Sequence, residues 1–184
     1  MNVPNFLTIV RFAIIPVFAF YLCTRQYITA VILFLAGGIT DVLDGYIARK
    51  YNLVTSWGKI ADPMADKLMQ LTALFILSFV LGLVPVGLLA IIITKEVLMG
   101  LGTLLLYKQN DYVVSASWYG KLATVIFYLA IVLMLFDEPF GRWNIMGVAF
   151  NMLIFVFAVM MSLFAFFMYV RTYVKIRQRN TESS

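Results

Sequence analysis

Apolar residues fall into six long runs, at roughly 6–24, 27–49, 59–81, 84–107, 118–136 and 143–170. Each is about as long as a helix that crosses a bilayer, and far longer than a strand. Breakers separate them: Thr24-Arg25-Gln26, the stretch from Tyr51 to Trp57, Gly82 with Pro85, the stretch from Lys108 to Ser117, and Asp137-Glu138-Pro139. The connections are short, so neighbouring helices are expected to pack antiparallel. The pattern predicts an all-α integral membrane protein, a single domain over residues 1–184 with six transmembrane helices.

Two local expectations follow. Asn5, Thr8 and Arg11 recur every three residues and so share one arc of a helix. With Pro4 suited to a first turn, they predict a short interfacial helix ahead of the first span, bent from it at Pro16. A plain membrane-surface anchor has the same pattern. At the other end, Arg171 to Ser184 is polar and basic and reads as a helix end that frays into solvent.

Composition agrees with a lipid-dissolved chain. Of 184 residues 63% are hydrophobic and 12% charged, with a mean hydropathy of +0.95. A water-facing globule of this size cannot hide that much apolar surface. The absence of His excludes imidazole catalysis and His-ligated metals, and the single Cys23 excludes an internal disulfide or a Cys-rich zinc site. The N-terminus does not read as a cleaved signal peptide, because Arg11 lies inside the apolar run and Phe20, Tyr21 and Leu22 are bulky. The net charge of +5 is unevenly spread. With six spans, Arg11, Arg49, Lys50, Lys59, Lys108, Lys121, Arg171, Lys175, Arg177 and Arg179 fall on one side, and only Arg25 and Arg142 on the other. That bias assigns both termini to the cytoplasm. Tyr27 and Trp143 suit interface anchors on the far side, Trp57 and Trp118 on the near side.

The chemistry concentrates in one stretch. Four of the nine acidic residues, Asp41, Asp44, Asp62 and Asp66, lie within 26 positions at the ends of two apolar helices. Asp41 and Asp44 are spaced i, i+3, and Asp62 and Asp66 i, i+4, so each pair lies on one helical face. A connection of eight residues, 50–57, lets the two faces meet. Four carboxylates there cost on the order of 10 kcal/mol, less near the interface. Either Arg49, Lys59 and Lys67 neutralise them in a salt-bridge network, or two divalent cations do, since +4 balances −4. An all-oxygen donor set without His or Cys favours Mg²⁺ or Mn²⁺ over Zn²⁺. Gly45, Ala48 and Gly58 lie on or beside the acidic face, where they serve either helix packing or a flat ligand. Arg49 is a donor fork suited to phosphate.

The string Asp41-x-x-Asp44-Gly45-x-x-Ala48-Arg49-x₈-Gly58-x₃-Asp62-x₃-Asp66 resembles, at all eight specified positions, the signature of the CDP-alcohol phosphatidyltransferase family. Asn5-x-x-Thr8-x-x-Arg11 and Gly120-Lys121-x-x-Thr124 resemble the phosphatidylglycerophosphate-forming branch of that family. The resemblance implies a six-helix fold and transfer of a phosphatidyl group from CDP-diacylglycerol to sn-glycerol 3-phosphate, with CMP released. It implies two divalent cations, Mg²⁺ or Mn²⁺, with Asp41, Asp44 and Asp62 on one and Asp66 joining the second. Asp66 would also be the general base. Asn5, Thr8, Gly45, Ala48 and Arg49 would bind the nucleotide. Arg11, Lys59 and Lys121 are the candidates for the acceptor phosphate. A homodimer in a bacterial plasma membrane is implied too, with membrane lipid and no nucleic acid as partner, although no Gly-x-x-x-Gly face marks the contact.

One departure is visible. Glycerophosphate-using relatives often carry Arg before the acid of the fourth helix and another Arg further on. Here the dyad is Lys95-Glu96 and no charge follows from Val97 to Leu106. Phosphatidylglycerol is therefore an alternative acceptor, as in a cardiolipin-synthase-like enzyme, and Lys95 and Glu96 are expected to pair with each other or with a neighbouring helix. A non-catalytic cation-binding transporter or scaffold is a further alternative. Transporters often carry internal repeats, and here the acids sit in one hairpin with no counterpart in the second half.

Overall fold

The computed structural model describes the backbone of residues 3–50, 58–108, 118–136, 144–145 and 148–182, and the side chains of residues 8–40, 50, 64–102, 118–136, 148–172 and 174. Among the described residues there are six long helices: α1 Val3–Cys23, α2 Tyr27–Lys50, α3 Gly58–Phe75, α4 Val86–Lys108, α5 Trp118–Leu135 and α6 Phe150–Glu182. They follow the six apolar runs. Trp118–Leu135 and Phe150–Thr172 are long and apolar enough to cross a membrane, and Thr8–Cys23 and Tyr27–Thr40 are shorter apolar stretches.

Three expectations differ from the structure. First, no break separates an interfacial helix from the first span, because α1 is continuous with Pro16 inside it. Proline removes one N–H and frees one carbonyl, which is tolerated where neighbouring helices support the segment. Second, the last helix starts at Phe150 rather than near residue 143. Before it, β1 Asn144–Ile145 pairs antiparallel with β2 Val148–Ala149, with Ile145 opposite Val148. Those two residues are β-branched and fit a ladder better than a helix start. Third, α6 stays helical to Glu182, well past the apolar run that ends near residue 170. Lys, Arg and Gln in its last turns are good helix formers, and the cations oppose the negative end of the helix dipole.

The chain divides into two units, Met1–Pro85 and Val86–Ser184. In the first, α1 packs along both α2 and α3, and α2 also meets α3. Its core is spaced by fours: Phe18 and Leu22 on α1, Ala30 and Phe34 on α2, Ala65, Met69 and Ala73 on α3, all with no exposed surface. The Phe18 and Phe34 rings lie 5.5 Å apart. The small residues let the helix backbones approach, and helix association in lipid depends on such packing.

The α1–α2 reversal explains the antiparallel pairing. Arg25 adopts φ 59°, its N–H donates to Leu22 O at 3.1 Å, and the Gln26 N–H donates to Tyr21 O at 2.9 Å. These two bonds are the Schellman pattern that caps a helix end. Thr24 Oγ1 adds bonds to the carbonyls of Phe20 and Tyr21. At the other end of this unit, α3 runs on into a π-helical turn, Ile76–Val80, in which the Leu81 N–H reaches Ile76 O. Gly82 follows at φ 66°, a conformation open to glycine without strain, and ends the helix.

In the second unit α6 is the shared partner, contacting both α4 and α5. Ala123, Phe127, Ala130, Ile131 and Met134 on α5 face Phe155, Ala158 and Val159 on α6 within the core, with the Phe127 and Phe155 rings 5.9 Å apart. On α4, Leu89, Ile92 and Lys95 form the buried edge.

Candidate active site

The acids belong to α2 and α3, and the contact that sets their register lies one turn away. Gly37 on α2 is buried. A β-carbon there would sit 2.5 Å from Met69 Sδ and 2.9 Å from Met69 Cε on α3, and 4.0 Å from Arg11 Cγ on α1. Three helices therefore meet at one point. Glycine at 37 leaves the space that Met69 fills.

Counting from this junction along each helix, at about 1.5 Å per residue, gives the levels of the signature residues. Asp41 lies four residues beyond Gly37, and Asp66 three residues before Met69. Both positions lie on the side of the junction nearer the α2–α3 connection, so they share a level about 4.5–6 Å away. Asp44 and Asp62 are each seven residues from the junction and share the next level. On α1, which runs antiparallel to α2, Thr8 and Asn5 lie three and six residues from Arg11 in the same direction. Each level thus holds one acid from α2, one from α3 and one polar residue of α1.

Asp66 is half-buried, and Thr8 and Arg11 have no exposed surface. The side chains of Asn5, Asp41, Asp44, Gly45, Ala48, Arg49, Lys59 and Asp62 lie outside the described residues, and their positions are those of their helices alone. Trp57 and Trp143 are likewise outside. Among the described residues no three His, Cys, Asp or Glu form a group that could hold a metal. Arg11, a candidate for the acceptor phosphate, lies enclosed at the three-helix junction. Lys121 is exposed near the start of α5, and Thr124 Oγ1 donates to Gly120 O at 3.1 Å, so that threonine is engaged with its own helix. Trp118 is 75% exposed at the head of α5.

Lys95 and Glu96 form an ion pair, and Lys95 Nζ also donates to Ser162 Oγ of α6 at 2.8 Å. This is the pairing expected from the sequence. Gly37 and Met69 were not singled out there. The available signal was a glycine one turn ahead of the first acid, on the acidic face.

The match to known proteins agrees with the signature. The model of the CDP-alcohol phosphatidyltransferase family matches residues 1–174. The chain belongs to the CDP-alcohol phosphatidyltransferase family. Enzymes of this family depend in general on divalent cations. A relative from Bacillus subtilis, named CDP-diacylglycerol–glycerol-3-phosphate 3-phosphatidyltransferase, is 35% identical over 155 residues, 76% of this chain and 79% of that protein. The Haemophilus influenzae protein of the same name is 36% identical over 140 residues, 71% of this chain and 73% of its own length. A Rickettsia bellii protein, again so named, is 55% identical over 71 residues, only 37% of this chain and 39% of that protein.

Proposed function

We propose that this chain is a membrane phosphatidyltransferase that moves the phosphatidyl group of CDP-diacylglycerol to sn-glycerol 3-phosphate, giving phosphatidylglycerophosphate and CMP. The observation that carries the reading is the shared levels of Asp41 with Asp66 and of Asp44 with Asp62 on two antiparallel helices, in a family member whose relatives bear that activity in their names.

The donor set fits two hard cations. Every donor in the signature is a carboxylate oxygen, two helical levels supply two acids each, and no His or Cys competes. Asp41, Asp44 and Asp62 would hold one ion and Asp66 would join the second, Mg²⁺ or Mn²⁺. Bound there, the cations supply charge neutralisation for the diphosphate and for the departing CMP.

The protein's own groups do the rest. Asn5, Thr8 and Arg49 hold the nucleotide and its phosphates, while Gly45 and Ala48 leave room for the cytidine. The Asp66 carboxylate takes the proton from the acceptor hydroxyl, whose oxygen bonds to the phosphorus of the phosphatidyl group. The bond from that phosphorus to the CMP oxygen breaks, and CMP leaves with the electron pair. Lys59 and Lys121 are the cations for the acceptor phosphate. The setting is a six-span fold of a bacterial plasma membrane, with the termini and the acids on the cytoplasmic side, in a homodimer.

The test is CMP release from CDP-diacylglycerol by the purified protein in detergent, with Mg²⁺ or Mn²⁺ and one candidate alcohol at a time. Release with sn-glycerol 3-phosphate, together with phosphatidylglycerophosphate as product, is the expected result. Release only with phosphatidylglycerol would move the chain to the cardiolipin-forming reaction. No release with any alcohol would leave the transfer reading without support.

A further inference from the structure

Among the described residues Arg11 is the largest side chain with no exposed surface, and a guanidinium cannot be deprotonated to escape burial. An enclosed permanent cation needs a negative partner, or its desolvation is strongly unfavourable. Its surroundings restrict the choice. Its Cγ lies 4.0 Å from the β-carbon position of Gly37, and Asp41 and Asp66 occupy the next level of α2 and α3. Long side chains on a helix lean toward its N-terminus. For Arg11 that is the direction of the acids, and about 4.5–6 Å is within an arginine's reach.

We infer that Arg11 is the resident counter-charge of the aspartate quartet, a positioning residue that acts through the acids and not on the acceptor. This rests on the metal reading above. Four carboxylates and Arg11 carry −3, so the site without cations is less self-repelling than −4 would be. The two-cation state then carries +1, which favours an incoming diphosphate. Arg11 opposes cation entry in the absence of nucleotide, because it repels an ion held by the same carboxylates. It also keeps the acidic helices together when no ion is bound.

Mn²⁺ binding to the detergent-solubilised protein without nucleotide, read from the free-ion electron paramagnetic resonance signal, tests this. R11Q is expected to bind Mn²⁺ at least about tenfold more tightly than the natural chain, by removal of a like charge at short range. R11K, which keeps the charge, is expected to bind as the natural chain does. In EDTA the melting temperature of R11Q falls, and Mn²⁺ restores it. If R11Q does not fold, the doubly neutral R11Q/D41N is expected to fold, and failure of both overturns the inference. Unchanged or weaker Mn²⁺ binding in R11Q, with a raised KM for the acceptor, would return Arg11 to the acceptor and overturn it as well. Absence of Mn²⁺ uptake by the natural chain would instead remove the metal reading, and this inference with it.

Discussion

Lys95 on α4 donates a 2.8 Å hydrogen bond to Ser162 Oγ on α6, across 67 positions of sequence, while pairing with its neighbour Glu96. Lys95 is 8% exposed. Removing only the hydroxyl, by Ser162→Ala, is expected to cost about 1.5–3 kcal/mol, the range for a hydrogen bond to a charged group. Lys95→Met is expected to cost more, about 3–5 kcal/mol, because it leaves the Glu96 carboxylate without its cation. K95M/E96Q, which removes both charges, is expected to recover part of that loss. Thermal unfolding in one detergent, compared across the three variants, checks the order.

Gly37 is the next site of interest, because α1, α2 and α3 meet there. Gly37→Ala gains helix propensity, about 1 kcal/mol, and displaces only the flexible end of Met69, so its net effect on stability is expected to be small. Gly37→Val forces the helices apart and is expected to cost about 1–3 kcal/mol. It also shifts the levels at which the acids of α2 and α3 meet. Its turnover is therefore expected to fall well beyond what the lost folded fraction explains, as CMP release per folded molecule would record.

Asp66→Asn keeps the shape of the side chain and removes its basicity. Turnover is expected to drop by about 10²- to 10⁴-fold, the usual contribution of a general base, while the protein stays folded. Near-normal CMP release from the folded variant would exclude Asp66 as the base.

Chelation addresses the cations independently of any substitution. EDTA is expected to stop CMP release, and excess Mg²⁺ or Mn²⁺ to restore it. Persistent activity after exhaustive chelation would exclude a divalent-cation mechanism.

Arg25 offers a test of the α1–α2 reversal alone. Its φ of 59° is disfavoured for a residue with a β-carbon, by about 1–2 kcal/mol. Glycine relieves this but loses more chain entropy on folding, about 0.5–1 kcal/mol. Arg25→Gly is thus expected to stabilise by about 0.5–1 kcal/mol, and Arg25→Val to destabilise. Catalysis is expected to be unchanged in the glycine variant.

The helices were legible because apolar runs of this length admit few alternatives, and the breakers at Thr24–Gln26 and Gly82 sit where the structure turns. For the acids the sequence supplies the spacing alone: intervals of three and four residues place each pair on one face of its own helix. What the runs do not encode is register between helices. That is set by how a few side chains fit, here Met69 against Gly37, and a glycine in an apolar run carries no mark of the neighbour it receives. Pro16 misled for a related reason. Its cost is local, whereas the support that keeps α1 whole comes from α2 and α3. The burial of Arg11 was equally hidden, because an arginine near one end of an apolar run reads as an anchor reaching for water.

Since α1 touches both acid-bearing helices, its sequence cannot drift alone. A chimera that takes only its first 23 residues from a distant relative would meet α2 and α3 with a mismatched surface, and is a poor starting point for exchanging properties between homologues. A crossover placed at the Gly82–Pro85 joint would transplant the whole trio intact. That joint is the natural seam for recombining this chain with its kin.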